Sequence, residues 1–161
     1  MNIKRILFST IKDKLSSTTC KIIILYGARQ VGKTTLINEA LGTFPGRILC
    51  VNADELKYFD ILSSRDMKKI RALVAGYDIL FIDEAQRIPD VGINLKIMHD
   101  QIPLLKVVAT GSSSFDLANK VQEPLTGRAW TYNLFPISFL ELAPHYNRFE
   151  LDELLEQCLI Y

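Results

Sequence analysis

The sequence is short of the side chains that build metal centres and disulfide frameworks: three cysteines and two histidines among 161 residues. Cys20, Cys50 and Cys158 have neither CxxC nor metal-ligand spacing, and His99 and His145 stand apart. No metal site can be assembled from them, and the cysteines read as small apolar residues of a reducing compartment. Charge of one sign is missing too. With a formal net charge of +1, the chain lacks the basic excess of a dedicated nucleic-acid module. The nearest thing to a basic patch, Arg65, Lys68, Lys69 and Arg71, reads first as a solvated helix face. Long apolar runs are absent, so no membrane span is expected. The first fifteen residues are interrupted by Lys4, Arg5, Lys12, Asp13 and Lys14 and do not form a signal peptide. A cytoplasmic protein is expected. Disorder is excluded by composition, since 48% of residues are hydrophobic and 23% charged.

What is present is an alternation of short apolar runs with helix-period segments. Ile3, Ile6, Leu7, Ile11 and Leu15 recur at helical spacing. Lys21 to Tyr26 is almost continuously apolar, as a strand buried on both faces must be. A helix from Gly32 to Leu41 follows, stopped by Gly42 with Pro45 just beyond. Further strands are expected at Arg47 to Asn52, Asp78 to Asp83, Leu105 to Thr110 and, at a sheet edge, Trp130 to Phe135. Ser63 with Asp66 three residues later reads as a capping box for a helix carrying Met67, Ile70, Leu73 and Val74. Asp90 to Gln101 and Phe115 to Asn119 are expected to be helical. Such alternation predicts an α/β fold of three layers with a parallel sheet and right-handed crossovers. The length suits one domain over residues 1–161, with its core at about 21–143. Leu151, Leu154, Leu155, Cys158 and Leu159 fall on one helical face, and the helix from 150 reaches residue 161 without a stop signal. That face is expected either to dock or to belong to a longer protein, with the latter favoured.

The chemistry is concentrated in two places. Gly27, Ala28, Arg29, Gln30, Val31, Gly32, Lys33 and Thr34 fit G-x-x-x-x-G-K-[ST], after a buried strand and at the opening of a helix. Glycines let the backbone wrap an anion, successive N–H groups point into the hollow, and the helix N-terminus adds positive potential. Lys33 is expected on the β- and γ-phosphates, Thr34 on magnesium, and Thr35 beside them at the nucleotide. The second place is Ile79 to Glu84, an apolar strand ending in two carboxylates. Asp83 would hold magnesium and Glu84 would orient or deprotonate the attacking water. A plain Gly-rich turn and a solvated acidic turn are the structural alternatives.

Two more positions are weaker. After the fourth strand, Thr110, Ser112 and Ser113 are each able to face a γ-phosphate or the lytic water, and the spacing does not choose among them. Ser112 is carried forward as a catalytic candidate; the alternative is a Ser-rich turn that caps the next helix. Arg128, after Gly127, is a candidate to neutralise charge on the transferred phosphoryl group, in its own site or across subunits. A structural ion pair is the equal alternative.

Together, YGARQVGKTTL (26–36), LFIDEAQRIP (80–89), VATGSSSF (108–115) and LTGRAWTYNLFPISFLEL (125–142) resemble a family of prokaryotic AAA+-like ATPases. The resemblance runs through most of residues 21–143. It implies a P-loop fold with strand order 5-1-4-3-2, ATP and magnesium as ligands, and a longer protein with a C-terminal domain. Mg-dependent ATP hydrolysis coupled to a conformational change is therefore the leading expectation, and a nucleotide-gated switch with slow turnover is the alternative. A GTPase is disfavoured by the lack of an Asn-Lys-x-Asp run, and a small-molecule kinase by the lack of acceptor motifs. ATP is the expected partner, with a second copy of the chain possible and nucleic acid unsupported by this segment.

Overall fold

The computed structural model describes residues 3–112 and 124–159. Ser113 and the expected helix over Phe115 to Asn119 lie outside these residues. The five strands are β1 (Ile22–Gly27), β2 (Ile48–Asn52), β3 (Ile79–Asp83), β4 (Lys106–Ser112) and β5 (Ala129–Leu134). They form one sheet in the order β2-β3-β4-β1-β5, with every pairing parallel. This is the expected order, read from the other edge.

Helices α1 (Leu7–Ser16), α2 (Lys33–Leu41), α3 (Leu56–Ser63), α4 (Met67–Val74) and α5 (Val91–Gln101) cover both faces. The two-residue period of a strand assigns the faces. Ile22, Ile24 and Tyr26 of β1, with Leu80 and Ile82 of β3, pack in a cluster with Leu62, Ile70, Val74, Leu95 and Met98 of α3 to α5. Ile23, Leu25, Ile79 and Phe81 point the other way, onto Ile11 and Leu15 of α1 and Leu36, Ile37 and Ala40 of α2. A strand buried on both sides cannot alternate with polar residues, which is why β1 and β3 read as unbroken apolar runs. Beyond β5 come α6 (Phe139–Leu142) and α7 (Arg148–Leu159).

Several local expectations are corrected. The cap of α4 is Asp66, whose side chain accepts from the amides of Lys68 and Lys69. Ser63 instead closes α3, an element the periodicity did not announce, and its hydroxyl donates back to Phe59 O at 2.6 Å. A capping box lies instead at Ser138 and Glu141, at the start of α6, and Asn147 and Glu150 exchange the same pair of bonds at the start of α7. Of the cysteines whose side chains are described, Cys50 on the edge strand β2 is exposed and Cys20 is half-buried. The leucine face of α7 is uneven, with Leu151 buried and Leu155 exposed. Among the basic cluster, Arg65 pairs with Asp90 and Arg71 donates to Gln101 O at 2.6 Å, so two of its four cations brace the fold.

Candidate functional site

Parallel strands bring the C-terminal ends of β1 and β3 to the same edge of the sheet, separated only by β4. Ligands of open α/β sheets bind at that edge. The loop after β1 turns tightly, with Gln30 at φ 64° and Gly32 at φ 91°, and α2 begins at Lys33. The glycine at 32 suits a conformation that costs a side-chain-bearing residue energy. Gly27 is required for a different reason. A Cβ there would lie 2.4 Å from Leu134 O of the neighbouring β5, so the loop leaves the sheet where only hydrogen fits.

Lys33 is buried, and its ammonium donates to Gly27 O at 3.0 Å and Ala28 O at 2.7 Å. Two of its three N–H donors thus brace the loop it belongs to. The hydroxyl of Thr34 donates to Asp83 Oδ2 at 2.9 Å. Motifs 49 residues apart therefore touch. The other oxygen of Asp83 accepts from the Thr110 hydroxyl and, at 3.1 Å, from the Glu84 amide. Glu84 has a left-handed backbone, φ 55°, and starts a 3₁₀ turn over Ala85–Arg87. Its carboxylate accepts from the side-chain amide of Gln86, while the amide oxygen of Gln86 accepts from Ser112 N at 3.3 Å.

These groups border an open cleft of about 620 Å³, lined by Arg29, Gln30, Gly32, Lys33, Thr34, Thr35, Asn52, Asp54, Asp83, Glu84 and Arg87. The chemistry of the donor set suits a magnesium nucleotide. A hydroxyl and a carboxylate 2.9 Å apart supply hard oxygen ligands, and a loop with left-handed turns at its hollow suits phosphate.

The structure brings the P-loop, Asp83 and Glu84 together but not every expected residue. Of the two polar candidates that are described, both within β4, it is fully buried Thr110 that touches Asp83. Among the described residues, Ser112 joins through its main-chain N–H. Arg128 is remote, and its expected role in its own site is corrected. Its carbonyl accepts from Ile22 N at 2.9 Å, at the start of β1, whereas the P-loop leaves from the end of that strand. Strand order set β5 beside β1, but parallel direction puts the start of β5 at the opposite edge. There Arg128 Nε donates to Asp100 Oδ1 at 2.9 Å, and with His99 it holds the Asp100 carboxyl below its usual range. Sequence reasoning missed Asn52, Asp54, Gln86 and Arg87. Asn52 ends β2 directly opposite Asp83, and Gln86 and Arg87 stood in view within LFIDEAQRIP.

A family model described as an AAA domain matches residues 19–143. The chain belongs to this family. Membership points to a nucleotide-binding P-loop function of ATPase type, in agreement with the fold. An uncharacterized protein of Methanocaldococcus jannaschii is 28% identical to this AAA domain chain over 172 residues, covering 98% of it and 36% of its own length. An uncharacterized protein of Mycobacterium tuberculosis is 34% identical over 113 residues, 66% of this chain and 23% of its own. A Mycobacterium bovis protein matches to the same extent. The AAA domain chain thus spans well under half the length of these relatives. Among its described residues, no helix is long and apolar enough to cross a membrane, and no group of three metal-ligating side chains occurs.

Proposed function

We propose that this AAA domain binds ATP with magnesium at the cleft between the P-loop and β3 and hydrolyses it, with the loss of the terminal phosphate driving a change in shape. The observation that carries the reading is the 2.9 Å contact between the Thr34 hydroxyl and Asp83, with Glu84 the next residue along the chain. Neighbouring hydroxyl and carboxylate oxygens suit one face of a magnesium shell, and a second carboxylate beside them suits a water in line with the terminal phosphorus. Bound magnesium would supply charge neutralisation at the phosphate oxygens. The P-loop amides would bind and orient the phosphates. Lys33, with two donors on its own loop, has its third for an anion. Glu84 would hold the water and accept its proton; to do so its carboxylate must exchange its bond from Gln86 for one from water. That bond also favours a second reading, a nucleotide-gated switch that turns over slowly in this state.

Calorimetric titration with Mg-ATP, paired with a phosphate-release assay, tests both. Lys33→Ala is expected to weaken ATP binding by at least about a hundredfold, since a buried cation facing phosphate is among the stronger contacts available. Glu84→Gln keeps shape and hydrogen bonding but not the base, so binding should persist while release falls by about 10²-fold or more. Wild-type affinity in the Lys33 variant would sink the assignment of the cleft. Wild-type turnover in the Glu84 variant would remove hydrolysis through Glu84 and leave the switch.

A further inference from the structure

With Arg128 committed to Asp100 at the far edge of the sheet, a different cation stands opposite the P-loop. Of the three cationic residues lining the cleft, Arg29 and Lys33 belong to the P-loop side, and Arg87 comes from the other wall. Arg87 ends the short turn that Glu84 begins, and its main-chain N–H donates to Glu84 O at 3.0 Å. The two side chains therefore leave one rigid turn beside the end of β3. Arg87 Nε holds Asp54 Oδ1 at 3.0 Å, and Asp54 lines the same cleft from the segment after β2. Both side chains are about half exposed, at 54% and 51%, so the pair is screened by water and weak. A guanidinium fork can exchange such a carboxylate for a phosphate, which offers the same paired oxygens with more negative charge.

We propose that Arg87 is a binding residue for the terminal phosphate of a nucleoside triphosphate, reached from the wall facing the P-loop, and that Asp54 holds it when that phosphate is absent. The inference rests on the nucleotide reading of the cleft given above. The end of the phosphate chain is singled out because Arg87 shares its turn with Glu84, whose proposed water must approach the terminal phosphorus. A diphosphate, ending at the loop and Lys33, does not extend toward that wall. Arg87 thus separates triphosphate from diphosphate, and Asp54 competes with the ligand for the same guanidinium.

The competition gives the two halves of the pair opposite signs. The test is calorimetric titration with magnesium and either ADP or the β,γ-imido analogue of ATP, a measurement that needs no turnover. Arg87→Ala should lower affinity for the analogue by about tenfold and leave ADP within about twofold, in proportion to one charge-assisted bond. Arg87→Lys keeps a charge without the fork and should recover part of the loss. Asp54→Ala should tighten the analogue by a few-fold, with ADP again unmoved. If the pair only braces the surface, both alanine variants lose thermal stability alike and shift the two nucleotides equally; that result overturns the proposal. Lys33→Ala separates the two levels. Should it abolish binding while Arg87→Ala keeps the wild-type preference between the nucleotides, the Arg87 assignment alone fails. Should it bind both as the wild type does, the nucleotide reading fails and Arg87 with it.

Discussion

A carboxylate with both oxygens engaged is held still, and Asp83 is such a group. Oδ2 accepts from Thr34, while Oδ1 accepts from Thr110 and the Glu84 amide. Position therefore distinguishes the polar residues of β4 more sharply than their spacing in the sequence does. Thr110 is at the third-from-last place of its strand, pointing at β3 and fully buried, whereas Ser112, among the described residues, offers the network a main-chain donor. Thr110→Val keeps the shape and removes the hydroxyl, at a cost of about 1.5–3 kcal/mol for a buried bond to a charged acceptor. We expect a lower unfolding midpoint in urea and, on the proposed function, at least about tenfold slower phosphate release. Ser112→Ala should leave release within about twofold, since its main-chain N–H is retained. The reverse ranking in parallel assays would return the role to Ser112. Nothing in the letters Thr-Gly-Ser could have made this choice, because a side chain's direction depends on where the strand ends.

At the scale of elements, the legible parts were those whose burial leaves a one-dimensional trace. β1 and β3 are covered on both faces and show as apolar runs; α1 and α5 lean on the sheet and show a helical period. α3 left a weaker trace. Its N-cap residue Glu55 makes no side-chain cap bond, so nothing marked its start, and its stripe of Tyr58, Ile61 and Leu62 is confined to about two turns with only Leu62 fully buried. The Ser63–Asp66 spacing imitated a capping box because Ser63 ends one helix just before Asp66 caps the next. Gly27 shows an element-level demand hidden inside a motif. Its replacement by alanine would remove chain entropy from the unfolded state, a gain of about 0.4–1 kcal/mol. Against that, the new methyl meets main-chain oxygen of Leu134 at 2.4 Å, which forces β5 to shift, and such overpacking costs about 1–3 kcal/mol. The loss should win. Urea denaturation of Gly27→Ala is expected to give a net destabilisation of about 1–2 kcal/mol, and a more stable variant would show that β5 yields freely.

For the molecule as a whole, strand order was readable and strand direction was the lesson. Beside β1 is not the same as beside the P-loop, because all five strands run one way and Arg128 enters at the wrong end. The segment before α1 ties the P-loop to the chain beyond β5. Arg5 donates to Glu141 Oε1 at 3.0 Å, to Val31 O of the P-loop at 2.8 Å and to Phe135 O at 2.5 Å. Burial works against the charge of Glu141, but amide bonds from Ser138 and Ile6 and the Arg5 guanidinium outweigh it and hold the carboxyl below its usual range. A folded pKa depressed in this way gives stability that is fully present above the unfolded value of about 4.3 and lost as pH falls through the folded one. Urea unfolding at about pH 6 and again near pH 3 should show the wild type losing more stability than Glu141→Gln over that interval, while the variant is the weaker of the two at pH 6. Equal acid losses would mean that Arg5 contributes no net charge preference to this junction.

The sheet order also has a consequence in time. The P-loop is complete by Thr34, but the two strands that flank β1, beginning at Lys106 and Ala129, leave the ribosome far later. At roughly 5–20 residues per second, the nascent chain carries a finished phosphate-binding motif without its framework for about 5–20 s. Nucleotide therefore cannot act as an early template for this chain: the first piece of the site to be synthesised is among the last to be given a rigid floor.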